Sequence, residues 1–277
     1  MIRMKKTLKE ISREESKKIM LDMLKDISSF CDKHDIRYYL AAGTLIGAIR
    51  HKGFIPWDDD IDIEIPRPDY NRFIELYRKE GKYSVCAPLE KDSIYFYAKV
   101  YDEQTIKYER GVDYARFQPL GVDIDIFPTD GQPSKANDKK FIRQVKRRRI
   151  LLKMLSHAIS PLNANLSIKS RILRIICHIL SKDVICRLYI RSATHYSFEK
   201  SPMVGFITPY EGYDLGHRHR REVYSDRVKV QFEDGEYWAP IGYDEYLRDV
   251  YGDYMQLPPI EKRVSHHSAI ELWKSKV

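Results

Sequence analysis

"GFIPWDDDIDIEIP", residues 53–66, places five acidic side chains within the seven positions 58–64 of a chain that is basic overall. Carboxylates at this density repel one another unless a cation lies among them. From Asp60 to Ile65 the acids alternate with isoleucine, and this period of two is typical of a strand that carries its carboxylates on one face. The stretch therefore predicts a strand whose acidic face binds something cationic.

A second stretch, "VDIDIF" at residues 122–127, repeats the alternation with Asp123 and Asp125 on one face. If the two strands are neighbours in a sheet, their carboxylates converge. Hard oxygen ligands of this kind suit Mg²⁺ or Mn²⁺. Such a site typically supports phosphoryl transfer, in which a further carboxylate orients or deprotonates the attacking hydroxyl.

The composition sets limits on the class of protein. The 277 residues are 43% hydrophobic and 12% aromatic, which is enough for a core in one large domain or two smaller ones. The four cysteines show no CxxC spacing, which favours a reducing compartment over a zinc site or a disulfide framework. No uncharged apolar run reaches the length of a membrane-spanning helix, about 18 residues, and the N-terminus lacks the apolar region of a signal peptide. We therefore expect a cytoplasmic protein, with at most peripheral contact with the inner face of a membrane.

The positive charge is concentrated in one region, residues 139–191, called the basic segment below. It contains 14 Lys and Arg and one acid, so it carries +13, and because the whole chain carries +8 the remainder carries −5. Nucleic acid, an anionic membrane surface or an anionic substrate could each explain such a patch. The segment is predicted to be helical, and its apolar stripe from Ile172 to Leu180 either faces a membrane or packs on the catalytic core.

The helical signals begin near the N-terminus. Ser12 and Glu15 form a capping box ahead of apolar residues at helical spacing. Residues 36–42 predict a buried strand, which is followed by a turn and a short helix. Asp69 is predicted to cap a helix that ends near Lys79.

Further strands are predicted on both sides of the second acidic motif. Residues 94–110 predict two strands joined around Asp102 to Gln104, and the strand at 121–131 is predicted to end at Pro128 and Gly131. The expected fold class is α+β, with a mixed sheet flanked by helices.

Three parts of the chain are predicted. Residues 1–32 form an N-terminal helix and residues 33–131 the catalytic core. Residues 132–277 form the basic helical segment and a C-terminal substrate-binding extension packed on that core.

Four motifs resemble those of the LicD/fukutin family, which comprises bacterial phosphocholine transferases and their animal relatives. They are "AAGTLIGAIRHKGFIPWDDDIDIEIPRPDY" (41–70), "YAKVYDEQT" (97–105), "VDIDIFPTDG" (122–131) and "YGDYMQLPPIEKRVSHH" (251–267). The resemblance implies a nucleotidyltransferase-like fold. It also implies transfer of a phospho-alcohol, above all phosphocholine, from a CDP-activated donor to a sugar hydroxyl with release of CMP. The implied acceptor is a cell-surface glycan such as lipopolysaccharide, teichoic acid or capsule, or its lipid-linked precursor.

The resemblance also implies roles for residues of the motifs. The implied ligands of Mg²⁺ or Mn²⁺ are Asp60, Asp62 and Asp125. The implied substrate-binding residues are Gly43, Thr44, Arg50, His51, Asp58, Lys99, Arg263 and His266. Among them, the backbone N–H groups at Gly43 and Thr44 would bind phosphate.

Attack on phosphorus by a sugar hydroxyl calls for a group that accepts its proton. We predict that Asp125 is this base and that Asp123, on the same strand face, is a second catalytic carboxylate with a smaller effect. Since the strand is expected to end near Phe127, the position of Asp125 would be well fixed.

Other readings of the sequence remain open at this point. One is a nucleotidyltransferase acting on RNA or on a small molecule, but the basic segment has few of the aromatic residues that interleave with basic ones in RNA-binding modules, so no nucleic-acid partner is expected. Another is a non-catalytic metal-binding protein. The transferred alcohol also stays open between choline and a polyol such as ribitol or glycerol, because Lys107 and Tyr108 depart from the family pattern.

Overall fold

The computed structural model describes residues 8–162, 168–206, 218–264 and 271–275. They form an α+β protein with a mixed central sheet, so the predicted fold class is confirmed. The helices are α1 (Arg13–Lys33), α2 (Ala42–Ile46), α3 (Arg67–Glu80), α4 (Lys139–Ile159), α5 (Ile168–Leu180), α6 (Lys182–Ala193) and α7 (Tyr243–Tyr251). The strands are β1 (Leu8–Glu10), β2 (Tyr39–Leu40), β3 (Asp62–Pro66), β4 (Ser84–Cys86), β5 (Ala98–Tyr101), β6 (Thr105–Tyr108), β7 (Asp123–Gln132), β8 (Met203–Phe206), β9 (His219–Arg220), β10 (Arg227–Phe232), β11 (Gly235–Pro240) and β12 (Glu271–Ser275).

The central sheet has the two acidic strands in its middle. Five strands run in the order β2-β3-β7-β5-β4, and β8 and β9 extend the sheet beside the C-terminal part of β7. β3 and β7 are parallel, whereas their other neighbours are antiparallel. The isoleucines that alternate with the acids, Ile63, Ile65, Ile124 and Ile126, are fully buried. Their burial fixes the register, because a slip of one residue would turn the acids into the core.

α1 packs against the main core through the apolar residues that the helical spacing predicts, Met20, Met23, Leu24, Ile27 and Cys31. The hydroxyl of Ser12 accepts a hydrogen bond from the N–H of Glu15 at 3.1 Å, so the Ser12 side of the predicted capping box is confirmed. Buried residues of α7 belong to the same core. α1 and the C-terminal region thus pack together with the sheet, while the predicted part boundaries stay a prediction.

Two predicted boundaries are wrong at the start of α2 and α3. The strand predicted over residues 36–42 is confined to β2, because the backbone turns at Ala42, where φ is +44° and α2 begins. α3 is capped by Pro66 and not by Asp69. Asp69 lies inside the first turn, where its carboxylate accepts a hydrogen bond from the Arg37 guanidinium at 2.5 Å. This ion pair, rather than a cap, explains the acid at that position.

β7 continues past both residues that were expected to end it. Pro128 lies opposite Ile65 of β3, and Gly131 lies opposite Val204 of β8. On its other side β7 pairs with β5 through Ile126 and then with β8 from Thr129 onward. Pro128 falls between these two partners, so the N–H that proline lacks is not needed there.

The basic segment is helical, as predicted, and forms α4, α5 and α6. The three helices enclose a second, smaller core that includes Phe96, whose ring stacks on Tyr189 with centroids 3.7 Å apart. The apolar stripe of α5 does not pack on the catalytic core, since Ile172 and Ile179 are 54% and 80% exposed. Within the four described ranges, no helix combines the length and the apolar composition needed to cross a bilayer.

A small sheet joins the two ends of the described chain. Its order is β1-β12-β6, with Leu8 paired to Ser275 and Leu272 paired to Lys107. The strands predicted around Asp102 to Gln104 exist as β5 and β6. They belong to different sheets, because β5 pairs with β7 and β6 pairs with β12. This arrangement brings Lys107 beside the acidic strands.

Candidate active site

Strand register brings the predicted carboxylates together. Asp62 on β3 lies directly opposite Asp125 on β7, and Lys99 on β5 lies opposite Asp125 from the other side. Directly opposed residues project from the same face of a sheet. The alternation of acids with isoleucine therefore produces the convergence that it predicts.

Two lysines hold the carboxylates of β7. The Lys99 side chain is 5% exposed, and its ammonium donates to Asp123 at 3.1 Å and also to Asp125. The ammonium of Lys107 contacts Asp123 and lies 3.4 Å from Glu109. Lys99, which the family resemblance assigns to the substrate diphosphate, is thus bound to two acids of the protein, and its contact with a phosphate stays a prediction.

The same contacts give the two carboxyl groups, Asp123 and Asp125, different pKa values. Burial pushes the pKa of Asp123 upward, but Lys107 and Lys99 outweigh it and hold that pKa below the ordinary value. For Asp125, burial dominates the opposing effect of Lys99, and the pKa is raised. Lys99 is buried, yet Asp123 and Asp125 raise its pKa well above the ordinary value. The site therefore contains one firmly ionised carboxylate beside one that binds a proton more readily.

The loop that enters β3 adds further acids. Burial, and then the neighbouring charge of Asp60, raise the pKa of Asp58 to about 7. Burial also raises the pKa of Asp62 well above its ordinary value, with added repulsion from Asp60, Asp125 and Asp58. The crowding expected from the sequence is thus present, and negative charge here exceeds what Lys99 offsets.

This donor set fits a hard divalent cation by its chemistry. Asp60, Asp62 and Asp125 supply carboxylate oxygens, and the repulsion that raises the pKa of Asp62 would be relieved by a bound cation. The side-chain arrangement itself is not a finished metal cage. In the part of the chain that the structure describes, no three His, Cys, Asp or Glu side chains are placed to hold a metal ion together. The metal site stays a prediction.

The start of α2 fixes the entry to β3. The Thr44 side chain is buried, and its hydroxyl accepts a hydrogen bond from the N–H of Asp62 at 2.9 Å. A Cβ at Gly43 would lie 2.5 Å from Oδ2 of Asp58, so a larger residue there would push this carboxylate out of its present position. Both residues position the acids, and their predicted contact with a phosphate remains untested.

Arg50 and His51 lie in a π-helical turn, Gly47–His51, that follows α2. Nε of Arg50 donates to Nε2 of His51 at 2.9 Å, and Nη1 of Arg50 donates to the carbonyl of Tyr254. Burial and the charge of Arg50 lower the pKa of His51, which keeps its ring in the neutral form that accepts this bond. Arg50 thus links the central motif to the C-terminal one. Single π-helical turns are frequent at functional sites.

A cavity of about 620 Å³ lies between these two motifs. Arg50, Trp57 and Arg263 line it, and the Arg263 guanidinium lies 5.6 Å from the centre of the Trp57 ring. Nε of Arg263 donates to the carbonyl of Pro258 at 2.8 Å, which holds its side chain at the cavity wall. His266, the other predicted residue of the C-terminal motif, lies outside the described residues.

A second cavity, of about 240 Å³, opens beside the carboxylates. Asp60, Asp123, Asp125, Lys99 and Lys107 contribute to its wall. Residues from β1, α1 and β12 complete the lining, so both described ends of the chain take part.

Sequence reasoning missed several charged residues of this cavity, among them Lys107 and Arg13. Arg13 lines the wall, and its Nη2 donates to the carbonyl of Asp58 at 2.7 Å. Its position in the first turn of α1 gives no sign of this contact. Lys107 is visible in the sequence only as a departure from the family pattern.

Glu64, an acid of the stretch at residues 53–66, is buried in the core and makes its hydrogen bonds there. Its carboxylate is 2% exposed and accepts hydrogen bonds from Tyr246 at 2.7 Å, Tyr224 at 2.9 Å and Thr129 at 3.1 Å. The Tyr246 hydroxyl also accepts a bond from the N–H of Ala42 at 3.3 Å. Glu64 therefore ties β3 to β7 and to the C-terminal region beneath the site.

Comparison with known proteins adds independent evidence. Residues 35–164 match the family model described as LicD/FKTN/FKRP, nucleotidyltransferase domain. The lipopolysaccharide cholinephosphotransferase LicD of Haemophilus influenzae is 32% identical over 269 residues, which cover 94% of this chain and 97% of that protein. The human ribitol 5-phosphate transferase FKRP is 29% identical over 108 residues, 36% of this chain and 19% of that protein. An uncharacterized protein of Rickettsia prowazekii is 44% identical over 50 residues, 18% of this chain and 19% of that protein.

The match to the Haemophilus protein covers 94% of this chain and is therefore not confined to the acidic motifs. The resemblance noted in the four sequence motifs is thereby confirmed. The chain belongs to the LicD/FKTN/FKRP family and is a phosphotransferase of the LicD type.

Proposed function

We propose that the protein transfers phosphocholine from CDP-choline to a sugar hydroxyl of lipopolysaccharide, or of a related cell-surface glycan or its lipid-linked precursor, and releases CMP. The observation that carries this proposal is the 32% identity, over 97% of its length, with a protein named as a lipopolysaccharide cholinephosphotransferase. The site offers supporting chemistry, since carboxylates, the buried Lys99 and the partly buried Lys107 at one cavity suit phosphoryl transfer.

In the proposed reaction the acceptor oxygen attacks the phosphorus that bears choline. A new P–O bond forms, and the bond from that phosphorus to the oxygen bridging it to the CMP phosphate breaks, with its electron pair leaving on CMP. Asp125 accepts the proton of the acceptor hydroxyl. Without a metal ion, burial raises the pKa of Asp125, which favours proton uptake, whereas a bound cation would lower that pKa again.

Asp123 has a different role in this proposal. Lys99 and Lys107 keep it ionised, so it is unsuited to taking up a proton. Its charge fixes both ammonium groups at the wall of the smaller cavity, where they can face a phosphate. Asp123 would thus act on the reaction through the two lysines.

We further propose that Asp60, Asp62 and Asp125 hold one Mg²⁺ or Mn²⁺ ion, with Asp58 as an additional acid near it. Such an ion would neutralise charge on the phosphate oxygens. The crowding of Asp58, Asp60 and Asp125 around Asp62 supports the assignment. A loose transition state calls for little proton removal early on, so Asp125 can bind the ion and still serve as the base.

We assign the donor to the larger cavity and the acceptor to the smaller one. The loop at residues 57–60 separates them, since Trp57 lines the larger cavity and Asp59 and Asp60 line the smaller. Arg50 and Arg263 would supply positive charge for the CMP phosphate on this side. The choline-bearing phosphate would lie at the loop, where Lys99 and Lys107 can face it from the smaller cavity. His51 would support this site by fixing Arg50.

Transfer of a polyol phosphate such as ribitol phosphate is the second candidate. It is supported by the local similarity to human FKRP, a ribitol 5-phosphate transferase, over 36% of this chain. Choline is favoured because the cholinephosphotransferase matches over 94% of the chain.

We also propose that the enzyme works in the cytoplasm at the inner face of the membrane, where a lipid-linked glycan precursor would be accessible. The absence of a membrane-crossing helix among the described residues is compatible with peripheral attachment.

The test is CMP release from CDP-choline, CDP-ribitol, CDP-glycerol and CDP-ethanolamine, each with Mg²⁺, with Mn²⁺ and with a chelator. We expect CDP-choline to be turned over fastest, and only with metal. Mass spectrometry of a glycan acceptor would then show the added phosphocholine. Equal or faster turnover of CDP-ribitol would favour the second candidate, and full activity with chelator would contradict the metal assignment.

A further inference from the structure

α5 carries its apolar residues on the outside of the protein. Five of them, named the isoleucine stripe here, are between 51% and 80% exposed: Ile168, Ile172, Ile175, Ile176 and Ile179. On a helix with 3.6 residues per turn these positions fall within an arc of about 100°. A surface helix of a globular protein normally turns such a face toward the core.

The opposite side of α5 is the side that is buried. Arg174 is 7% exposed and donates to the carbonyl of Pro161, and Cys177 is fully buried in the second core. The ring nitrogen Nε2 of His178 lies 3.0 Å from the carbonyl oxygen of Ser160. These contacts with α4 and the residues after it fix the rotation of the helix, so the stripe faces away from the protein.

Positive charge borders the stripe on both sides. Lys169 and Arg171 are exposed, and on the helical projection they flank the arc, one beyond each edge. Lys146 of α4 and Arg187 of α6, the two helices that pack against α5, are exposed as well. The single acid of the basic segment, Asp183, is paired with Lys182 at 2.8 Å.

We propose that the isoleucine stripe is a membrane-docking surface that inserts into the interfacial layer of a bilayer containing anionic lipids. A helix with an apolar face and flanking Lys and Arg binds such a surface by burying the apolar side chains and pairing the bases with lipid phosphates. The lysine and arginine at the edges of the stripe, Lys169 and Arg171, would lie at the headgroup level.

Charge argues for this occupant over two others. A second copy of the chain would bring one basic segment, at +13, against another, and like charges oppose such an interface. Nucleic acid would match the charge but would leave the exposed isoleucines in contact with water or phosphate. An anionic bilayer is the partner that accounts for both the apolar arc and its basic border. The inference does not depend on which phospho-alcohol is transferred.

The experiment is flotation of the full chain with phosphatidylcholine vesicles that do or do not contain phosphatidylglycerol, at low and at physiological salt. We expect binding only to the vesicles with phosphatidylglycerol. Ile176→Glu and Ile179→Glu should each lower the partition coefficient about tenfold or more, since a charge replaces an inserted apolar side chain. Ile241→Glu is the matched control, because Ile241 is 47% exposed but lies outside the stripe.

The basic border has its own test. Lys169→Glu with Arg171→Glu should weaken binding to anionic vesicles and reduce its dependence on salt. Lys18→Glu, on an exposed position of α1, should leave binding unchanged. Ile179→Trp should give a blue shift of fluorescence on mixing with anionic vesicles, which reports entry of that position into an apolar layer.

Melting temperature and CMP release with a soluble acceptor should be unchanged in the stripe variants, which separates docking from folding and from catalysis. Three results would overturn the inference. The first is no vesicle binding by the wild type at either salt, and the second is an equal loss in Ile241→Glu. The third is a stripe variant that dissociates a dimer in ultracentrifugation and leaves vesicle binding unchanged, which would assign the stripe to a second copy.

Discussion

Replacing Asp123 with Asn removes one negative charge from the site, and we expect this to lower the stability of the folded protein. In the folded protein the Asp123 side chain is 6% exposed and contacts two ammonium groups, those of Lys99 and Lys107, which are 5% and 11% exposed. Asp123→Asn keeps the shape but leaves these cations with one fewer negative charge. Lys99 retains Asp125 and Lys107 retains Glu109, so neither is left wholly unpaired.

The size of the effect follows from this partial compensation. Removing one partner of a buried ion pair costs about 3 to 5 kcal/mol, and the remaining acids place Asp123→Asn near the lower end, at about 3 kcal/mol. For a chain of this size each kcal/mol shifts the melting temperature by about 2 to 4 °C, so we expect a loss of roughly 6 to 12 °C. The pKa of Asp123 is held below its ordinary value of 3.8. The stability difference should therefore be complete above the unfolded-state pKa and shrink as the pH falls through the lower, folded-state pKa.

The assay is urea unfolding of the wild type, Asp123→Asn, Lys107→Met and the double variant. Because Lys107→Met removes one of the two cations that lose a carboxylate partner in Asp123→Asn, the double variant should be more stable than the sum of the single losses predicts, by about 1 to 3 kcal/mol. Losses that add within about 0.5 kcal/mol would show that the two residues are not coupled. A wild-type melting temperature for Asp123→Asn would refute the electrostatic reasoning altogether.

Asp60→Asn and Asp62→Asn should each abolish metal-dependent CMP release, while circular dichroism shows an intact fold. The metal-free Asp62→Asn protein should be at least as stable as the wild type, because burial and neighbouring acids raise the pKa of Asp62. Turnover at the wild-type rate in either variant would contradict the metal assignment. Asp125→Asn should keep donor affinity in calorimetry with Mg²⁺ and lose transfer by orders of magnitude, whereas Asp123→Asn should lose less; the reverse order would mean that the base is assigned to the wrong acid. Glu64→Ala should lower the unfolding free energy by about 3 kcal/mol or more, because three buried hydroxyls lose their acceptor; a loss below about 1 kcal/mol in urea unfolding would show that water or another group replaces it.

The core of the site could be predicted because its signal is local. Alternation with period two depends only on the geometry of a strand, so "DIDIEI" and "VDIDIF" place Asp62 and Asp125 correctly before any partner strand is known. The cap at Ser12 is equally local, since its hydrogen bond spans three residues. Such features carry over from sequence to structure almost unchanged.

The rest depends on contacts between distant parts of the chain. Lys107 reaches Asp123 because β6 pairs with β12, and Arg13 reaches Asp58 because α1 packs beside the acidic loop. No spacing in the sequence encodes either contact. The stripe of α5 shows the same limit, because periodicity tells which residues share a face but not what that face meets. Pro128 was wrongly predicted to end its strand. It is tolerated because it lies between the part of β7 that pairs with β5 and the part that pairs with β8, and the sequence of β7 alone does not reveal this change of partner.

The pairing of Leu8 with Ser275 has a practical consequence for rearranging the chain. A short linker between positions 8 and 275 would close with little loss of entropy, and new ends could be opened elsewhere. Glu10, Ile11 and Leu272 also line the smaller cavity. A circular permutant should therefore retain the smaller cavity, whereas removing β1 or β12 would remove part of its wall. Fusion partners and affinity tags would best be attached at new ends on the far side of the molecule.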